Sequence, residues 1–328
     1  MYPLTFKPFL RTMVWGGEKI APYKGIETDI PKIGESWEIS GYGEHPTVVM
    51  EGPDTGRTVN ELVSLYKEAL VGKKVYATYG DEFPLLIKFI DAASDLSIQV
   101  HPNDIMAEKN HGKGFRGKTE MWYVIDADPD GCLYCGLKTA ITPEEYSARV
   151  ADGTITDVLA RYEVHPGDVF FLPAGRIHAI CSGCLIAEIQ QTSDLTYRIW
   201  DYGRKGLDGK PRQLHTELAK GAIDYTVLPS YRTDYNKALN KEIEVVSCQY
   251  FTTSVFDLDK PFEKTLDGLD SFLVVICVSG GGKLIDKEPE GSVTVALRQG
   301  ETLLVPATSL GVRFVPDGKM KLVTSCIK

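Results

Sequence analysis

The chain has 328 residues, 43% of them hydrophobic and 25% charged, enough apolar material for one large or two ordinary globular domains. A net charge of −9 excludes a general electrostatic affinity for nucleic acid or anionic membrane, so an anionic ligand has to be held by a local cluster of basic residues. Seven cysteines, an odd number, suit a reducing cytoplasm better than a disulfide framework, and no apolar run reaches the length of a membrane span.

The first segment, MYPLTFKPFLRTMVWGG, has neither an uninterrupted apolar core nor a small-residue cleavage site, so no signal peptide is expected and a cytoplasmic location is. Residues 1–58 read as short strands and turns, including Gly34 to Gly41 and Thr47 to Met50. Trp15, before two glycines, is either a core tryptophan or an aromatic wall beside a ligand. Leu62, Val63, Leu65, Tyr66 and Leu70 recur at helical spacing, with Asn60 as the expected cap. Phe83 to Ile90 reads as a strand whose apolar run Lys88 interrupts. A buried lysine needs an anionic neighbour, so Lys88 is a candidate phosphate contact unless it snorkels to the surface.

The densest chemistry lies in Leu96 to Ile125, LSIQVHPNDIMAEKNHGKGFRGKTEMWYVI. Gln99 and His101 are two apart in an alternating run, so a strand points both side chains to one face, where they can share an ion. After Pro102 the chain is expected to pass through a short helix at Asp104 to Lys109 and a Gly-rich excursion, then to start a strand at Glu120. Thr142-Pro-Glu-Glu is a helix start with Glu145 placed for a capping box, and that helix should run to about Val150. In PGDVFFLPAGRIHAI, Pro166 to Ile180, a strand meets a Pro-Ala-Gly turn and a second strand opens with His178. Two imidazoles, the Glu120 carboxylate and the Gln99 amide make a mixed N/O donor set for zinc or a similar divalent ion. Gln99 is the poorest donor of the set, and its alternative is to orient a ligand or a substrate.

Beyond His178, the run CLIAEIQQTSDLTYRIWDYGR alternates as a strand pair and carries Glu188, Asp194 and Arg198 toward the mouth of the same site. Gly203 to Gln213 reads as a loop and Leu214 to Tyr225 as a helix, while His45, His111, His165 and His215 read as surface or loop groups. Two CxxC pairs, Cys132/Cys135 and Cys181/Cys184, suggest a four-thiolate site, but residues three apart in a strand face opposite sides, which favours packing. Polar residues 228–242 mark the expected boundary between a catalytic domain at 1–235 and a β domain at 236–328. The second domain repeats the Gly-x5-Pro spacing of Gly167 to Pro173 at Gly300 to Pro306, with no histidine after it. A structural role without metal ligands is expected for it.

The Gly167…Pro173-x-Gly175-x-x-His178 pattern resembles the two-part motif of the cupin superfamily. Trp15-Gly-Gly, Pro84-Leu-Leu-Ile-Lys88, Ser97-Ile-Gln-Val-His-Pro, Lys118-Thr-Glu-Met-Trp-Tyr-Val, Pro173 to His178 and Ser193 to Arg198 together resemble type I mannose-6-phosphate isomerases of the short bacterial form. Arg116-Gly-Lys-Thr-Glu stands where the long form of that family has Asn-His-Lys-Pro-Glu, and no helical domain of long-form size is inserted. The resemblance implies a mainly β fold of two jelly-roll, cupin-like barrels with a few added α-helices, and interconversion of mannose 6-phosphate and fructose 6-phosphate. It also implies one zinc ion held by His101, Glu120, His178 and Gln99, Arg198 in the active site, and Ser97 and Lys88 near the substrate phosphate. Lys118, Asp194 and Glu188 are the candidates for the proton shuttle. The expected partner is a small sugar phosphate, with no nucleic acid or membrane, and the chain should be a monomer or a weak homodimer. Other readings of the same motif are a metal-dependent cupin oxygenase and a non-catalytic sugar-binding or regulatory protein.

Overall fold

Strand pairing in the computed structural model, which describes residues 1–288 and 291–328, arranges the chain in three sheets. The central sheet has six strands in the order Val169–Leu172, Glu120–Ala127, Cys184–Gln191, Leu85–Ala92, Phe9–Gly17 and Ile33–Ile39. Facing it is a sheet of five: Tyr197–Trp200, Ile98–Val100, His178–Ile180, Cys132–Leu137 and Leu159–Glu163. Pairing within both is antiparallel, and their hydrogen-bond ladders do not join, so the expected jelly-roll is realised as two facing sheets rather than a closed barrel.

Every residue of Leu85–Ala92 and of Cys184–Gln191 is buried, because the central sheet is covered on both faces. On one side Trp15, Ile90, Trp122, Val124, Leu133 and Ile180 fill the space between the two sheets. On the other, Ile87, Phe89 and Ile189 join Phe272, Val274, Ile276 and Val323 of the C-terminal sheet in one continuous core. Helices Pro143–Asp152 and Thr216–Ala222 cover the outer face of the five-stranded sheet through Tyr146, Val150 and Ala219. The first has the expected Thr142–Glu145 capping box. The second is shorter than the span expected at Leu214 to Tyr225.

The helix expected from Asn60 starts one residue earlier, at Val59, and its cap is Thr58, which forms a capping box with Glu61. Asn60 instead donates to the Gly41 carbonyl at 2.8 Å and accepts from the Phe83 amide at 2.9 Å, tying three segments together. The helix stops at Lys67, where φ is +50°, and a separate turn covers Glu68–Val71.

The C-terminal sheet is built on two long strands, Leu273–Glu288 and Gly311–Cys326, paired along their length with register shifts at Cys277/Ser279 and Gly280/Gly282. The glycine triplet therefore bends a strand. Gly280 has φ +71° and lies where a Cβ would meet the Lys319 carbonyl oxygen at 1.9 Å. The first strand of the chain, Leu4–Lys7, pairs with Thr302–Val305 of this sheet, so both ends of the sequence are woven into it. The CxxC cysteines do not converge as a four-thiolate site. Cys181 N–H donates to the Cys132 carbonyl at 3.0 Å and Cys184 Sγ to the same oxygen at 3.4 Å, while Cys135 lies opposite His178 in the ladder.

Phe83 and Phe272 meet across the joint core with ring centroids 4.8 Å apart, and both are fully buried. Phe272→Ala should cost about 3–5 kcal/mol, the range for deleting a buried ring. In denaturant titrations, fluorescence and far-ultraviolet circular dichroism should report one coincident transition at lower midpoint.

Candidate metal centre

The metal-binding geometry follows from strand register. Gln99 stands directly opposite His178, and Arg198 opposite Gln99, in the five-stranded sheet. His101 follows two residues after Gln99, and Glu120 opens its strand in the facing sheet. One donor atom from each of His101, Glu120 and His178 lies within 4.8 Å of the others, and all three residues are buried. They form the only such group of His, Cys, Asp and Glu among the described residues.

The ring orientations are fixed from behind. His101 Nδ1–H donates to the Leu195 carbonyl and His178 Nδ1–H to the Arg176 carbonyl, each at 2.8 Å, leaving both Nε2 lone pairs directed at Glu120. Burial and the Lys118 ammonium push His101 down to about 3, and burial likewise lowers His178, so both rings are neutral. Burial acts to raise the Glu120 carboxyl, but the Lys118 ammonium outweighs it and holds the group ionised. His101 Nε2 and both Glu120 oxygens are buried without a hydrogen-bond partner among the described residues. Three orphaned donor atoms facing one point fit a divalent cation. The Gln99 amide lies 3.2 Å from His178 Nε2, and a half-turn of that amide presents its oxygen to the same point.

Gln99 and Lys118, next to this centre, line a cavity of about 250 Å³ whose walls also include Trp15, Ser97, Lys88, Glu188, Asp194 and Arg198. Two rows of charge border the cavity. Along the central sheet, Lys118 Nζ is 3.1 Å from Glu120 and 3.9 Å from Glu188, and Lys88 Nζ is 3.6 Å from Glu188. Lys88 also stands 3.9 Å from both Glu35 and Asp194, and Arg11 joins those two carboxylates at 3.1 and 3.5 Å. Lys88 and Arg11 both lie over the Trp37 ring, at 4.9 and 5.0 Å from its centre, and Trp37 Nε1–H donates to Glu35 at 2.7 Å. Lys88, expected beside a phosphate, is thus enclosed by three carboxylates and only 2% exposed. Burial and Glu120 raise the Glu188 carboxyl, against the pull of Lys118 and Lys88, and its Oε1 has no hydrogen-bond partner.

On the five-stranded sheet, the Arg198 guanidinium donates to the Gln213 carbonyl at 2.9 Å and pairs with no carboxylate among the described residues. Its Nε is buried without a partner among the same residues. Burial, Arg212 and Arg204 all act against its charge. Arg212 grips Asp201 with two bonds, at 2.6 and 2.5 Å, and Arg204 donates to the same carboxylate at 2.8 Å. His215 is a loop residue, as expected, but it lies in the cavity wall, and its Nδ1 accepts the Arg198 amide at 3.1 Å.

Arg11, Glu35, Arg212 and His215 are wall residues that sequence reasoning missed. Glu35 and Trp37, two apart in a strand, carried a usable signal, since the period places both side chains on one face. Arg212 sits in an exposed, polar stretch and carried none.

Residues 4–124 match the family model described as phosphomannose isomerase type I, catalytic domain, and residues 241–327 match that described as mannose-6-phosphate isomerase, cupin domain. The mannose-6-phosphate isomerase ManA of Bacillus subtilis is 35% identical over 93% of each chain. The mannose-6-phosphate isomerase of Streptococcus mutans is 32% identical over 98% of each. The crystal structure of the mannose 6-phosphate isomerase from Bacillus subtilis superposes with a TM-score of 0.88 at 32% identity, covering 99% of both chains. With this likeness extending over nearly the whole length, the chain belongs to the type I phosphomannose isomerase family.

Proposed function

We propose that this chain interconverts mannose 6-phosphate and fructose 6-phosphate, using one zinc ion held by His101, Glu120, His178 and Gln99. The observation that carries the reading is the buried His101/Glu120/His178 cluster, whose His101 Nε2 and Glu120 oxygens lack hydrogen-bond partners among the described residues, beside a cavity walled by fixed charges in a chain with whole-length mannose-6-phosphate isomerase relatives. Aldose–ketose isomerisation moves a proton between C1 and C2 through an enediol-type intermediate, so it needs a base and fixed positive charge for the developing oxyanion. A bound divalent ion supplies Lewis acidity there, polarising the oxygens on C1 and C2. Arg198, cross-strand from Gln99, offers a permanently charged guanidinium beside the metal-binding residues.

Among the three shuttle candidates, Lys118 is pinned between Glu120 and Glu188, whose charges outweigh the cost of its burial and keep it protonated. It serves as a fixed cation beside the reacting oxygens. Asp194 sits at the rim, paired with Lys88 and Arg11. Glu188 combines a partner-free buried oxygen with a raised affinity for protons, so it is the group we assign to take the proton from one carbon and return it to the other. Residues 1–235 carry this chemistry, and residues 236–328 support it by packing against the back of the central sheet.

The direct test is a coupled assay that follows fructose 6-phosphate formation from mannose 6-phosphate, with glucose 6-phosphate as the competing aldose. Dialysis against a chelator should abolish turnover and added zinc should restore it. Full activity in metal-free protein would exclude the metal-dependent reading. Glu188→Gln should lower kcat by roughly 100-fold or more, the scale of a lost general base, with zinc content unchanged. Arg198→Ala should lower kcat by about 100-fold while KM changes little, the signature of a contact that strengthens in the transition state. A near-normal kcat in either metal-replete variant would remove that residue from the chemistry.

A further inference from the structure

We propose that Cys132 and Cys181 form a reactive dithiol on the outer face of the five-stranded sheet, a modification site that a peroxide converts reversibly to a disulfide. The proposal stands apart from the sugar-phosphate reading and from the metal centre. It starts from strand alternation. Leu133 and Ile180 are paired in the ladder, and both belong to the core between the two sheets. Their neighbours Cys132 and Cys181 therefore share the opposite face. The alternation that scatters the CxxC thiols leaves Cys135 and Cys184 in that core and brings one thiol of each pair together outside it. The hydrogen bond from Cys181 N–H to the Cys132 carbonyl, at 3.0 Å, makes the two residues hydrogen-bonded neighbours. Such neighbours in an antiparallel ladder hold their Cα atoms about 5.5 Å apart, inside the roughly 4.4–6.8 Å that a disulfide spans.

The surroundings make the two thiols unequal. Hydrogen bonding from the Cys181 thiol lowers Cys132 to about 7 against the cost of burial; the Arg161 guanidinium helps and the Asp95 carboxylate opposes. The same hydrogen bond, with burial, raises Cys181, which keeps its proton. Beside the pair, burial also raises Tyr134, Tyr202 and Cys184, so these stay uncharged near neutral pH. Cys132 is thus the nucleophile and Cys181 the thiol that resolves it. Cys132 is 6% exposed and Cys181 5%, which admits a small oxidant and hinders a bulky one. The Cys132 thiolate attacks one oxygen of hydrogen peroxide, forming the S–O bond of a sulfenic acid and breaking the O–O bond, and the released hydroxide takes up a proton as water. The Cys181 sulfur then attacks the Cys132 sulfur, forming the S–S bond and breaking the S–O bond, and the departing hydroxide takes the Cys181 proton as a second water. The two thiols are oxidised by two electrons and the peroxide is reduced by two. Exchange with an external thiol restores the dithiol.

The test treats the reduced, full-length protein with hydrogen peroxide, blocks the remaining thiols under denaturing conditions and maps the peptides by mass spectrometry. A linked Cys132–Cys181 peptide should form before any other cysteine is oxidised, and dithiothreitol should reverse it. Cys132→Ala and Cys181→Ala should each abolish the link, and Cys248→Ala, at a half-buried thiol elsewhere, should leave it. A second measurement follows alkylation of native protein by iodoacetamide against pH. Labelling of Cys132 should be half-maximal near the value of about 7 that its neighbours impose, and should move up by about one pH unit or more in Cys181→Ala, which lacks the hydrogen-bond donor. Peroxide that spares both cysteines, links a different pair first, or carries Cys132 to the sulfinic acid while Cys181 stays reduced would overturn the proposal. An unshifted labelling profile in a folded Cys181→Ala variant would overturn the assignment of Cys132 as the nucleophile. The wild-type peptide map decides the site even where an alanine variant does not fold.

Discussion

The structure is organised around a carboxylate that has been taken out of water. Glu120 is 0% exposed, and neither of its oxygens has a hydrogen bond. Burying such a charge costs several kcal/mol unless it is compensated, and the Lys118 ammonium at 3.1 Å answers only one side. Two neutral imidazoles cannot neutralise it, because their N–H groups are committed to backbone carbonyls behind them. A divalent cation is the species that satisfies all of these atoms together. The rest of the fold supplies the dry, stiff surroundings in which that arrangement persists: one sheet carries Glu120, the facing sheet carries both histidines, and a packed core lies behind each.

How much of this was legible in the sequence depended on whether a residue's position followed from local periodicity. Gln99 and His101 share a strand face, Glu120 and His178 open strands, and the turn before His178 is written in Pro173 and Gly175. Those features are local, and the ladder brings them together. Lys88 gave a true signal with a second solution. A lysine inside an apolar strand does need anions, and Glu35, Glu188 and Asp194 supply them from neighbouring segments. The Asn60 cap failed because Thr58 fits the capping box and the Asn60 amide is spent on Gly41 and Phe83, long-range contacts with no local trace. His215 looked solitary for the same reason: its partner, the Arg198 amide, lies 17 residues earlier.

Pairing of Leu4–Lys7 with Thr302–Val305 explains how a C-terminal domain can matter to chemistry it does not touch. The central sheet holds Glu120, Glu188, Lys88, Glu35 and Arg11, so its register sets the spacing of the charges. Its outer face would be an exposed apolar surface without the C-terminal core residues Phe272, Val274 and Ile276. Burial on both faces is what lets Leu85–Ala92 and Cys184–Gln191 run as fully interior strands, and interior strands are the least free to slip.

The two rows of charge also differ in stiffness and in freedom to act. On the central sheet, alternating signs between Lys118, Glu188, Lys88 and the Glu35/Asp194 pair make each ion a neighbour's counter-ion, so shifting one raises the energy of the next. Trp37 braces that row by facing Lys88 and Arg11 with its ring and Glu35 with its N–H. Such a row is nearly neutral at a distance and holds position well, which suits groups that must meet a reacting carbon within tenths of an ångström. The guanidinium group is built differently: Arg204 and Arg212 share the Asp201 carboxylate, and the buried Arg198 Nε has no partner among the described residues. With three guanidinium groups and one carboxylate, this group carries net positive charge. Because the two groups border one cavity without sharing an ion pair, a change in one leaves the pairings of the other intact.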